Sequence, residues 1–180
     1  MNYFDKNSPL QSLIPALRDL LTSPKAFFAE LPGAAFHSNA LFFASAPIFF
    51  ATFISVPFYG FLLWFLLPVS WGLSLIGLWV WSRYMAWAVR TVAKGKLGNA
   101  NSFQISAYAF APMALASIPY VGIIGVLWNL YLLWTALVNR CKLSSGMALL
   151  IIGVPTIVVI ASLVALSGML IQLFPQLGQV

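Results

Sequence analysis

The stretch Trp79–Phe103, WVWSRYMAWAVRTVAKGKLGNANSF, decides how the chain is read. It begins inside an apolar run and ends in a short basic loop ahead of the next apolar run. Arg83, Trp87, Arg90 and Lys94 follow at i, i+4, i+7 and i+11, which places them on one helical face. Lys96 stands just beyond, in a Gly-flanked turn, and no Asp or Glu is near. A helix leaving a bilayer into the cytoplasm carries aromatic residues at the interface and Lys/Arg past it. This stretch therefore reads as a membrane exit that orients everything on either side.

Composition agrees. The 180 residues are 62% hydrophobic and 7% charged, with a mean hydropathy of +0.95. A soluble domain carries about a quarter charged residues, so a chain this apolar needs lipid as its solvent. The net charge of +6 is the ordinary topology signal of Lys/Arg beside spans, available also to anionic head groups, and does not point to nucleic acid. One cysteine, Cys141, rules out an internal disulfide and a Cys-rich metal site. The first long apolar run starts near Ala40, too late for a cleavable signal peptide.

Working outward, residues 1–8 are polar and are expected to be loose. Ser8-Pro9-Leu10-Gln11 reads as a helix start, with Ser12 an equally good cap. Leu13, Ile14, Leu17, Leu20 and Leu21 form one stripe, giving an amphipathic helix too short and too charged to span. Ser23-Pro24 restarts a second short helix, Lys25 to Leu31, which Pro32-Gly33 stops. Both helices either lie in the interface plane or pack onto the cytoplasmic ends of the bundle, and the two are compatible.

Five apolar runs follow: Leu41 to Leu67, Trp71 to Val89, Phe103 to Ile118, Val121 to Val138 and Met147 to Phe174. Pro68 to Trp71 is expected to be the first uncharged turn, and Pro119 to Gly122 the second. Pro47, Pro57, Pro112 and Pro155 mark kinks. The third run is rich in Ala and Ser and belongs at the centre, where small residues let backbones approach. All Lys, Arg, Asp and Glu fall in the N-terminal segment, the end of run two with its loop, and the loop Asn139 to Lys142. Five spans put these on one side, and no arrangement of four or six separates them as cleanly. The expected fold is an all-α integral membrane bundle of five transmembrane helices. A cytoplasmic segment with short amphipathic interfacial helices, residues 1–38, precedes a transmembrane domain, residues 39–180. The N-terminus is cytoplasmic and the C-terminus outside.

Four stretches carry a family resemblance: Leu20 to Pro32 (LLTSPKAFFAELP), Gly95 to Phe103 (GKLGNANSF), the following AYAFAPMAL with Pro112, and Lys142 to Ala148 (KLSSGMA). With Ile118-Pro119 and Trp128, they resemble the pattern of bacterial Yip1-domain proteins. The resemblance implies a five-helix integral membrane domain, here in a bacterial inner membrane. Eukaryotic members act in membrane traffic and associate with small GTPases. Their DLYGP-type stretch and long soluble N-terminus have no counterpart here, so a GTPase partner is not carried over.

The chemistry available is limited. Asp5, Asp19 and Glu30 are the only carboxylates and His37 the only histidine, an inventory too small for acid/base pairs, catalytic triads or His/carboxylate metal sites. No phosphate-binding glycine loop is present. The expectation is no enzyme and no cofactor. Arg83 lies about 10 Å inside the boundary; a missing acidic partner favours snorkelling or a lipid phosphate over a substrate site. Arg83, Trp87, Arg90 and Lys94 form the candidate face for lipid or partner. Gln104 and Asn129 are the candidate intramembrane polar contacts, with interhelical bonding the expected role of Asn129. Cys141 reads as a small residue at a helix end; its two cationic neighbours raise the alternatives of a lowered pKa or acylation. The function read from all this is a non-enzymatic membrane-organising or protein/lipid-interaction scaffold. Its partners would be membrane lipids with anionic head groups, other membrane proteins or further copies of itself. The alternative is a small, oligomeric transporter or channel built on the proline-kinked helices.

Overall fold

Proline, glycine and two stretches of small residues punctuate the chain, and the computed structural model shows what each does. It describes residues 1–33, 38–59 and 63–173. His37 and the tail beyond Leu173 lie outside the described residues. All regular structure described is helical: α1 Pro9–Thr22, α2 Pro24–Ala29, α3 Ser38–Tyr59, α4 Leu63–Thr91, α5 Asn99–Ala109, a 3₁₀ helix Ala111–Leu115, α6 Gly122–Asn139 and α7 Ser145–Leu173. Among the described residues, two segments are long and apolar enough to cross a membrane by those criteria alone, Gly122–Asn139 and Ser145–Leu166.

Pro9 opens α1 at a position where its missing N–H costs nothing, and Ser8 precedes it. The Ser8 side chain makes no capping bond. Instead, the Ser12 hydroxyl accepts the Asp5 backbone N–H at 3.0 Å and folds the preceding turn against the helix. Residues 1–8 are thus not loose. Phe4 is buried, and its N–H donates to the Tyr108 hydroxyl at 3.1 Å. One aromatic side chain in a polar stretch, with no periodicity around it, is enough to anchor the segment.

Of the two readings of the amphipathic helices, the structure shows packing onto the bundle. Ala16 and Leu20 of α1, and Phe27 and Phe28 of α2, are fully buried in the main core with Leu132, Ala136 and Leu137 of α6. The opposite edge of α1 leaves Leu10 and Ile14 exposed at 85% and 72%, an apolar edge suited to the bilayer interface.

The first two runs divide differently from the expected turn. Pro68 to Trp71 is not a turn but part of α4. Pro68 stands in the second turn of that helix, where it removes a single backbone bond and leaves the helix continuous. α3, α4 and α5 pack on one another, with Ala40, Ala44 and Ala107 interleaved with Ile48, Leu78 and Phe103 in a second core. The Ser102 hydroxyl ties α5 to α4 by donating to the Ser82 carbonyl at 2.6 Å.

The third run is not one kinked helix. α5 stops at Ala109 and Pro112 lies in the 3₁₀ helix, which packs against both α3 and α6. Asn129 reaches across from α6 and donates to the Ala109 carbonyl at 2.7 Å. Pro155 poses the same problem in α7: its missing N–H leaves the Ile151 carbonyl four residues back without its helical donor. The Tyr84 hydroxyl of α4 donates to that carbonyl at 3.0 Å. At Pro155 an interhelical side chain satisfies the carbonyl that proline frees; at the α5 break Asn129 satisfies the Ala109 carbonyl, whose α-helical donor, the Met113 N–H, bonds Phe110 instead.

Glycines bring α6 onto the 3₁₀ segment. A Cβ on Gly122 would stand 2.4 Å from the Ala116 carbonyl oxygen, and one on Gly125 would stand 2.6 Å from the Pro112 carbonyl oxygen. Only Gly permits so close an approach of two backbones.

Candidate functional site

α4 presents its cations outward. Arg83, Trp87 and Arg90 are all exposed on one side of the helix. The Arg83 guanidinium sits 4.9 Å from the centroid of the Trp79 ring, a cation–π arrangement on a solvent- or lipid-facing surface. The Arg90 Nε donates to the Ala86 carbonyl at 2.9 Å and its Nη2 donates to the Asn99 side-chain oxygen at 3.1 Å. Arg90 is thereby pinned across the mouth of the α4–α5 loop. No carboxylate occurs on α4 or α5.

Lys94 does not join this helical stripe. α4 ends at Thr91, and Lys94 takes a left-handed conformation with φ 52° beyond it. The Gly95 N–H then closes back onto the Val89 carbonyl at 2.8 Å. The loop after α6 repeats the device: Lys142 has φ 56°, and the Leu143 N–H bonds the Leu137 carbonyl at 3.2 Å. A left-handed non-glycine costs about 1–2 kcal/mol. Lys at both sites places a cation just past the helix C-terminus, where the carbonyl ends favour it.

The N-terminal segment docks at this same end. Phe27 packs edge-on to Tyr108 with ring centroids 5.1 Å apart, and Phe43 lies 4.5 Å from Tyr108. Tyr3 stacks obliquely on Phe27 at 5.1 Å. Burial and then the Glu30 carboxylate hold the Tyr3 phenol above its ordinary pKa, while Arg140 pulls it the other way. The N-terminal strand, α2 and the loop after α6 therefore share one end of the bundle with Arg90 and Lys94.

Gln104 and Asn129 do not meet. Gln104 lines a polar recess of about 500 Å³ beneath the N-terminal segment, beside Lys6, Ser38 and Asn39, and its Oε1 is buried without a partner among the described residues. Asn129 sits deeper, at the break between α5 and the 3₁₀ helix. Cys141 is not an activated thiol. Burial pushes it up to about 11, against Arg140, which acts in the opposite sense. Flanking cations in the sequence do not lower a pKa when the sulfur itself is desolvated.

The Yip1 domain matches the chain over residues 18–166. The chain belongs to the Yip1-domain family. The match begins inside α1 and ends within α7, so it takes in the end of α1 and all of α2. No curated relative and no solved structure matches the chain. Sequence reasoning missed Phe4 and Tyr108 as partners. It also missed Tyr84 and Gly125, whose roles depend on where proline frees a carbonyl or backbones cross.

Proposed function

We propose that this Yip1-domain protein is a non-enzymatic membrane organiser with five spans, cytoplasmic N-terminus and external C-terminus, in a bacterial inner membrane. It would hold anionic lipid head groups, or an acidic group on a membrane partner, against the Arg83–Trp87–Arg90 face. The observation that carries the reading is that this face is exposed and basic, with Arg83 held by an aromatic ring and Arg90 by Asn99. Each basic residue near an anionic bilayer surface contributes about 1 kcal/mol.

Purification in mild detergent, followed by mass spectrometry of retained lipids and proteins, tests it. Losing two such residues in an Arg83→Ala/Arg90→Ala variant is expected to lower retained anionic lipid by about thirtyfold. Equal retention by wild type and the arginine variant, with no partner lost, overturns the reading. The span count has its own check. A reporter active only outside the cytoplasm, fused after Val180, is expected to be active; an inactive external reporter paired with an active cytoplasmic one at that position rules out five spans.

A further inference from the structure

Where α4, α5, the 3₁₀ helix, α6 and α7 face one another, they enclose a cavity of about 470 Å³. That is within the roughly 300–1,000 Å³ of small-molecule sites. Its wall is largely apolar, with Trp81, Phe110, Met113 and Leu130 among the lining beside Asn129 and Thr156, and no charged residue lines it. α4 and α7 carry exposed Ile76 and Val158 directly beside the lining residues Gly77 and Val159, so the apolar wall continues into the outer apolar belt. Ser106 of α5 also lines it. Ser106 is 1% exposed, and its Oγ has no hydrogen-bond partner among the described residues. A buried hydroxyl left unpaired in an apolar medium costs free energy until it finds an acceptor. The Asn129 amide nitrogen, also at the lining, is itself a donor and is spent on the Ala109 carbonyl, so it is no acceptor for this hydroxyl. A cavity with apolar walls, no charge and one donor in need of an acceptor matches a chain of methylenes ending in a carbonyl.

We propose that the cavity binds one acyl chain of a membrane phospholipid, with the chain's ester carbonyl accepting the Ser106 hydroxyl. This site differs from the basic face. Trp81 and Leu78 reach it from the inner side of α4, whereas Trp79 and Arg83 point outward. The proposal therefore stands or falls separately from head-group binding. Gly77 provides the means of closing the cavity, since a side chain there would meet nothing within 4 Å at its Cβ.

The test is photolabelling in phosphatidylcholine vesicles doped with a phosphatidylcholine that carries a diazirine on its acyl chain, with adducts mapped by mass spectrometry. Half-buried Met113 and Leu130 are expected to label more heavily than Ile124 and Val158, which are 59% and 57% exposed. Gly77→Leu is expected to cut labelling at Met113 and Leu130 by about tenfold, because its branched side chain takes the ligand's space, and to leave Ile124 and Val158 unchanged. Ser106→Ala is expected to weaken labelling at the same two residues by about fivefold, the loss of one hydrogen bond of about 1 kcal/mol. Labelling that follows exposure, with Ile124 and Val158 above Met113 and Leu130, overturns the proposal. So does unchanged labelling in a Gly77→Leu protein that melts like wild type. Should that variant melt early, the ranking within wild type decides alone.

Discussion

Replacing Phe27 with alanine is expected to destabilise the docked N-terminal helices by about 3–5 kcal/mol, the usual cost of removing a fully buried aromatic ring. Phe27 is 0% exposed and meets three rings at once, Tyr3, Phe28 and Tyr108, with centroids 5.1, 5.6 and 5.1 Å away. The site resists collapse because the Tyr108 ring is held elsewhere, its hydroxyl accepting the Phe4 N–H, and the Tyr3 hydroxyl reaches the Phe27 backbone carbonyl, which the substitution keeps. Loss of Phe27 should therefore open a cavity rather than draw the walls together. Hydrogen exchange by mass spectrometry is the informative measurement. Peptides covering residues 2–31 should lose protection, with α6 losing less because it keeps its contacts with α7 and the 3₁₀ helix. Unchanged protection in residues 2–31 would show that the helices are held by the bilayer surface and not by the bundle.

Gly125→Val is expected to cost about 3 kcal/mol or more, at the upper end of overpacking effects. The clash is with backbone: the new Cβ would stand 2.6 Å from the Pro112 carbonyl oxygen and 3.4 Å from the Leu115 Cβ. No rotamer relieves it, since the Cβ position is set by the main chain. α6 must move off the 3₁₀ helix, and that motion also lengthens the Asn129 bond to the Ala109 carbonyl. Gly72→Ala is the matched control. A Cβ there meets nothing within 4 Å, and replacing a mid-helix glycine by alanine gains up to about 1 kcal/mol of helix propensity. Thermal unfolding in detergent should thus move in opposite directions for the two variants. A Gly125→Val protein as stable as the Gly72→Ala one would show that α6 and the 3₁₀ helix do not cross at this distance.

Much of the layout was legible in the amino acids. Hydropathy placed α6 and α7 to within two residues at most of their described ends, because each is one unbroken apolar run between polar caps. The outward face of α4 followed from helical spacing, and the Yip1 resemblance from short motifs. Hydropathy reports how long an apolar stretch is, however, not whether its helix is continuous. Pro68 looked like a turn and sits inside a helix; Pro112 looked like a kink and belongs to a 3₁₀ segment. The side chains that meet carbonyls near the helix breaks, Asn129 at Ala109 and Tyr84 at Ile151, are remote in sequence from those carbonyls. Lys94 left the stripe for a similar reason: spacing extrapolates a helix past the point where the backbone turns left-handed. Phe4 gave no signal, since a lone aromatic residue among polar ones matches no periodic pattern.

The bond from Phe4 to Tyr108 joins residues 104 positions apart, which has a consequence for biosynthesis. Phe4 leaves the ribosome well before Tyr108, so the partner of its N–H is made only after the chain through α5. The segment around Phe4 must wait while the chain through Tyr108 is synthesised. Closure of this end is then a late event that reports completed assembly. A bulky fusion at Met1 would interfere with that final step and not with insertion itself.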